Sequence, residues 1–197
     1  MSDVGALIVA SGRGSGFGGA IALGRWQVGT VLQHIADVVR STGIEDITVV
    51  LGPMGEDIAE AADLDDAIFV IDPDWAEGLS SGLRVGLDTM WRSSDLEIAL
   101  IFEIEHPDID AETISAVLAT HREGERHVTL PKYRYARGGP IAVGRWLWPR
   151  LMGLEGDLDL VTFIDAHKDW AHDVWIDRLG PGRVETSSDL AALVAGR

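Results

Sequence analysis

A chain of 197 residues and 21.2 kDa has room for one domain with a sizeable core, and its 46% apolar and 24% charged residues exclude collagen-like, disordered and low-complexity readings. With 16 basic against 32 acidic residues the net charge is −16, which repels a phosphate backbone, so no nucleic-acid partner is expected. The absence of cysteine removes disulfides, thiolate metal sites and a cysteine nucleophile. Met1-Ser2-Asp3 lacks the basic start of a signal peptide, and no apolar run approaches the roughly 18 residues of a membrane helix. The expectation is a cytoplasmic protein with no membrane partner.

The apolar run Val4 to Ala10 reads as a strand covered on both faces, and it ends in a loop, Ser11 to Gly19, rich in glycine. Val28, Val31, Leu32, Ile35, Val38 and Val39 recur at helical spacing up to Gly43, which predicts a helix with one buried stripe. Ile47 to Leu51 is a second buried strand, followed by an acidic helix from Glu56 to about Ala62. Ala67 to Ile71 is a third strand, Ser80 to Trp91 a helix, and Ile98 to Phe102 a fourth strand. This alternation predicts a Rossmann-like three-layer α/β/α sandwich around a mainly parallel sheet. Asp110 is placed to cap a helix through Leu118, and His127 to Leu130 is another strand. Arg137-Gly138-Gly139-Pro140 turns into Ile141 to Val143, and Trp146 to Leu151 is a short helix with Pro149 in its first turn. Asp173 to Asp177 reads as an edge strand, and Ser187 or Ser188 as the cap of a last helix.

Parallel sheets bind ligands beyond the carboxyl ends of their strands, so the connecting loops carry the functional signal. Glycines in Ser11 to Gly19 let backbone N–H groups approach a phosphate, although neither the spaced dinucleotide fingerprint nor a Walker loop is present. Asp72 to Arg84 follows a strand and sets an aromatic, a carboxylate and two hydroxyls at a helix start, where they suit an anion or a heterocycle. The same segment also reads as a capped helix with Trp75 packed beneath it. Arg122, Arg126, Lys132, Arg134, Arg137, Arg145 and Arg150 gather seven of the 16 basic residues, either as a solvated face or as a dock for an anionic partner.

Four stretches occur in the order seen in MobA-like nucleotidyltransferases: Leu7 to Ser15, Pro73 to Leu87, Pro131-Lys132-Tyr133 with Arg137 to Pro140, and Gly156-Asp157. The chain resembles that family over nearly its whole length, and most of all its molybdenum cofactor cytidylyltransferase branch. Trp75-Ala76-Glu77-Gly78-Leu79-Ser80-Ser81 is the most specific element. The resemblance implies one domain over residues 1–197 that uses Mg²⁺ to transfer a nucleoside monophosphate from CTP or GTP to molybdopterin. By the same resemblance, nucleotide lies over Ala10, Ser11, Gly12, Arg13 and Gly14, with Trp75, Glu77, Ser80 and Ser81 on its base or sugar. Glu105 and Glu185 would be the catalytic residues that hold the metal, and Lys132, Tyr133 and Arg137 would meet the acceptor.

The pattern also departs from the family. Gly16 and Ile21 stand where the family carries an Arg and a Lys for the triphosphate, and Glu105 and Glu185 stand for metal-binding aspartates. Two lost charge-assisted contacts are worth about 3–6 kcal/mol. These departures describe a degenerate active site and keep two alternatives open: an inactive cofactor-binding or accessory partner of a molybdoenzyme, and an NAD(P)H-dependent nicotine blue oxidoreductase-like protein.

Overall fold

The computed structural model describes residues 3–11, 21–64, 66–124, 127–156 and 160–196. Strand β1 (Val4–Ala10) is apolar throughout because both of its faces are covered: Val4, Ala6 and Ile8 enter one core, Leu7 and Val9 the other. A small antiparallel hairpin, β2 (Arg25–Trp26) with β3 (Gly29–Thr30), leads into α1 (Val31–Ser41). Thr30 Oγ1 accepts from Gln33 N at 3.1 Å and Gln33 Oε1 accepts from Thr30 N at 2.8 Å, a capping box that fixes the helix start. Val28, expected on the buried stripe of this helix, therefore falls outside it, at the hairpin turn and fully exposed.

Strands β4 (Ile47–Leu51), β5 (Ile68–Ile71) and β6 (Ile98–Glu103) alternate with α2 (Gly55–Ala62) and α3 (Leu79–Ser93), as the sequence predicts. Ile68 and Ile71 are 46% and 49% exposed, because β5 is an edge strand rather than an interior one. Helix α4 (Ala111–Glu123) begins at Asp110, whose Oδ1 accepts from Thr113 N at 2.7 Å. There follow β7 (Val128–Lys132), β8 (Ile141–Gly144), α5 (Trp148–Met152), α6 (Leu160–Ala166), β9 (Ala171–Trp175) and α7 (Ser187–Ala195). The cap of α7 is Thr186, one residue before the expected serines, because its hydroxyl and Asp189 form a second capping box.

Seven strands form one sheet in the order β5-β4-β1-β6-β8-β7-β9, with β8 antiparallel to both neighbours and every other pair parallel. Helices α1, α2, α4 and α7 cover one face through residues such as Leu32, Ile58, Val117 and Leu190. Helices α3, α5 and α6 cover the other through Leu83, Leu87, Trp148 and Ile164. This is the three-layer α/β/α architecture expected. The chain steps outward from β1 to β4 and β5, then returns to β6 on the opposite side of β1. The carboxyl ends of β1, β4, β5, β6 and β7 consequently open on one edge, with the order reversing beside β1, the position at which such sheets bind ligands.

Candidate functional site

The end of β1 is held very close to its surroundings. A Cβ added to Gly52 would lie 2.9 Å from the Ser11 carbonyl oxygen, and one added to Gly82 would lie 2.4 Å from Ser11 Oγ. Only glycine lets the β4 loop and the first turns of α3 come this near, and Ser11 is buried between them. Ala10, half-buried, completes β1. Gly12, Arg13 and Gly14 lie outside the described residues, as do Gly16 and Asp157. Ile21 is 4% exposed and packed in the core beside α1, so that position turns an apolar side chain inward, away from any phosphate.

Beyond β5 the chain turns at Asp72, a fully buried carboxylate that sequence reading did not single out. Its Oδ1 accepts from Ser81 Oγ at 2.7 Å and from Asp74 N at 2.9 Å, the second bond making an Asx turn. Its Oδ2 has no partner among the described residues. The Asp-Pro-Asp triplet at a strand end was the signal available for this turn. Ser80 is buried too and donates to the Gly156 carbonyl. The two serine hydroxyls thus lock the start of α3 to the ends of β5 and of the Gly156 segment. Glu77 Oε2 accepts from Arg84 at 3.0 Å, an exposed pair, and Trp75 helps line a cavity of about 350 Å³ with Gly52, Met54 and Asp72.

On the other side of β1, the segments carrying Glu105 and Glu185 meet: Val184 N donates to the Glu105 carbonyl at 2.8 Å. The Glu185 carboxylate itself is paired with Arg183 at 2.8 Å. Among the described residues no group of three or more His, Cys, Asp or Glu side chains could hold a metal on its own. Mg²⁺ commonly takes only one or two carboxylates plus substrate phosphates, and two glutamates brought to one edge supply hard oxygens of that kind. The backbone bond brings the two chain segments together, and a divalent ion held by both glutamates would need Arg183 to release Glu185 and substrate phosphates to complete the site.

The residues expected at the acceptor are also engaged internally. Arg137 binds Asp165 at 2.6 Å and Asp173 at 2.8 Å. Burial lowers its pKa, but the hydrogen bonds it donates to those two aspartates outweigh that and hold the guanidinium above its ordinary value. Lys132 stands 3.8 Å from Asp173. Tyr133 is buried, donates to the Gly139 carbonyl at 2.9 Å and carries Arg178 against its ring. Burial pushes its phenol up to about 12, although Arg178 draws it down and Asp110 adds to the rise. The basic stretch is therefore mostly self-neutralised: Arg122 pairs with Asp3 at 2.7 Å and Arg134 with Asp177 at 2.8 Å. Arg145 donates to the carbonyls of Trp91, Ser94 and Leu96 at the end of α3, and Arg150 lies over Trp146 and Trp170.

Comparison with known proteins gives this crevice a context. The chain is 24% identical over 175 residues to a nicotine blue oxidoreductase of Paenarthrobacter nicotinovorans, covering 85% of this chain and 84% of that one. Its fold is shared by the crystal structure of an Rv0371c homologue from Mycobacterium sp. strain JC1, at TM-score 0.85 and 22% identity over 100% and 98% of the two chains. It is shared as well by Rv0371c of Mycobacterium tuberculosis in complex with manganese, at TM-score 0.80 and 20% identity over 98% of each chain. No helix among the described residues is long and apolar enough to cross a membrane. Residues 6–170, which run from β1 through the Ser81 turn and Glu105 to the start of β9, match the MobA-like NTP transferase domain, and the chain belongs to that family.

Proposed function

We propose that the protein transfers a nucleoside monophosphate from a nucleoside triphosphate to a small acceptor, with Glu105 and Glu185 holding a divalent metal. The observation that carries this reading is the Val184–Glu105 backbone bond, which brings two carboxylate-bearing segments to the ligand-binding edge of a sheet with this family's topology. A bound Mg²⁺ or Mn²⁺ would offset charge on the phosphates during in-line displacement of pyrophosphate. In this reading nucleotide lies above Ala10 and Ser11 at the glycine-lined end of β1, with Trp75 beside it. Asp72, Ser80 and Ser81 hold the wall of that crevice in place, and Lys132, Tyr133 and Arg137 build the acceptor end. CTP or GTP is the donor, and molybdopterin the acceptor, that the family resemblance favours.

Incubation with CTP or GTP, Mg²⁺ and molybdopterin should release pyrophosphate, and Glu105→Ala should abolish the release. Unchanged release from that variant would remove Glu105 from the site. Two observations favour a second reading, a cofactor-binding or accessory partner of a molybdoenzyme: Ile21 is packed into the core and Glu185 is paired with Arg183. Calorimetry separates the two, since the carrier binds molybdopterin without binding nucleotide. The relative from Paenarthrobacter supports a third, reduction of a dye by NAD(P)H, which a direct absorbance assay decides.

A further inference from the structure

The short segment ahead of α7 sets a lightly held cation beside one of the two candidate metal carboxylates. Its backbone is fixed from both sides. Val184 is fully buried and its N–H donates to the Glu105 carbonyl at 2.8 Å, while the N–H groups of Glu185 and Thr186 donate to Asp189 Oδ2 at 3.1 and 2.8 Å. The side chains flanking Val184 are held far less firmly. Arg183 Nε donates to Glu185 Oε1 at 2.8 Å, with the two side chains 56% and 66% exposed. An exposed pair of this kind shifts an equilibrium only about 1.5- to 5-fold, so it can change partners while the backbone stays in place.

Arg183 also lines a cavity of about 340 Å³ between the end of β6 and the loop after β7, together with Arg137 and His106. Glu103 is the one carboxylate among the described lining residues, so the cavity suits an anion. The two arginines differ in how they are tied. Arg137, its side chain only 15% exposed, binds Asp165 of α6 at 2.6 Å and Asp173 of β9 at 2.8 Å. Turning it toward a ligand would strand two carboxylates. Arg183 has a single carboxylate partner among the described residues, and that partner, Glu185, is the one a metal would claim.

We propose that Arg183 is a partner-exchange residue: it holds Glu185 until that carboxylate turns to a divalent metal, and its released guanidinium then receives a phosphate of the acceptor in the cavity beside Arg137. The metal-loaded nucleotide therefore binds first and the acceptor second, and each raises the affinity for the other. A guanidinium matches phosphate oxygens with two parallel N–H bonds, a better partner than the one carboxylate oxygen it leaves. The metal and the acceptor come from the nucleotidyl-transfer reading above, on which this exchange rests; the order of binding is what it adds.

The test is calorimetric titration of the full chain with Mn²⁺ and with inorganic phosphate, beside NMR of the arginine Nε–H signals during addition of Mg²⁺. Mg²⁺ should shift the Arg183 Nε–H signal, which is assigned by its loss in Arg183→Gln. Arg183→Gln should bind Mn²⁺ about 1.5- to 5-fold more tightly than the parent, the worth of the exposed pair it removes. In the parent, saturating Mn²⁺ should raise the affinity for phosphate; that gain should shrink in Arg183→Gln and return in Arg183→Lys, which keeps the charge. An Arg183 signal indifferent to Mg²⁺, or Mn²⁺ bound no more tightly by Arg183→Gln, overturns the exchange, and the metal reading survives it if Glu105→Gln abolishes Mn²⁺ binding. Absence of Mn²⁺ binding at millimolar concentration in parent and Arg183→Gln alike sinks both. Failure to release pyrophosphate while Arg183 responds to metal as described sinks the transferase reading and leaves the exchange standing.

Discussion

Gly86→Ala tests how tightly α3 is seated on the sheet. The added Cβ would lie 2.4 Å from Leu7 Cδ1, 2.8 Å from Val50 Cγ2 and 3.0 Å from Leu7 Cδ2. Ordinary carbon contacts lie near 3.5–4.0 Å, so neighbours must retreat by roughly 1 Å. Leu7 and Val50 are both fully buried on β1 and β4, in an interior with little slack. Overpacking of this kind costs about 1–3 kcal/mol, while replacing a mid-helix glycine by alanine returns up to about 1 kcal/mol. Since an overlap of roughly 1 Å belongs to the upper part of that range, the net expectation is a loss of about 1–2 kcal/mol, or about 2–8 °C in melting temperature for a chain of this size. Urea and thermal unfolding measure it, and a cycle with Leu7→Ala isolates the cause. In the Leu7→Ala background the two approaches to Leu7 are relieved and only the 2.8 Å approach to Val50 Cγ2 remains, so the same glycine substitution should cost clearly less. A Gly86→Ala protein as stable as the parent, with Leu7 intact, would refute the close seating of α3 on β1.

Gly82→Ala, one turn earlier, drives its Cβ against Ser11 Oγ and Val9 Cγ1 at 2.4 and 2.8 Å and should cost a similar amount. Because Ser11 directly follows β1 at the crevice, it should also weaken nucleotide binding by calorimetry, which Gly86→Ala should leave alone. Ser81→Ala withdraws a donor from the buried Asp72 carboxylate and should cost about 1.5–3 kcal/mol in urea unfolding, whereas Ser93→Ala on the exposed end of α3 should cost far less. His121 is buried against Thr129, and burial, then the charges of His127 and Arg122, lowers its pKa from 6.5. The unfolded chain therefore binds that proton first, so this contribution to stability is complete above about pH 6.5 and falls as the pH drops below it. Unfolding followed against pH should show the acid-side decline, and His121→Gln should flatten it.

The alternation of apolar runs with helical stripes made the layers legible, because a strand covered on both faces needs uninterrupted apolar residues and a covering helix needs only one stripe. Val28 was misplaced for a local reason: it continues the spacing of three, but the Thr30–Gln33 capping box overrides periodicity at a helix start. Helix α6 went unread because its partly apolar stretch is short and is preceded by alternating Asp and Leu. In the site, the paired hydroxyls of Ser80 and Ser81 were visible as types, while most of the glycine-rich loop, residues 12–19, lies outside the described residues. What the sequence could not express was pairing across distance. Arg137 with Asp165 and Asp173 spans 28 and 36 positions, and Ser80 reaches Gly156 across 76. A basic stretch read along the chain looks like a dock; folded, Arg122, Lys132, Arg134 and Arg137 each stand against an aspartate of the chain itself.

That pairing bears on how an acidic protein can hold a triphosphate at all. With 32 carboxylates to 16 cations, most described cations near the crevice are matched by a carboxylate before any ligand arrives. Among the described residues, affinity for several phosphate charges then falls to groups that are not carboxylate-matched, backbone N–H groups at the strand ends, and to a metal carried in with the nucleotide. The same reasoning predicts that nucleotide affinity depends steeply on Mg²⁺ and little on Arg137 or Lys132, whose charges are already answered. Titration of CTP with and without Mg²⁺, in the parent and in Lys132→Ala, reads this directly. Strong binding of CTP in the absence of metal, lost in Lys132→Ala, would show that the cations near β7 reach the phosphates and that self-neutralisation is not what governs this site.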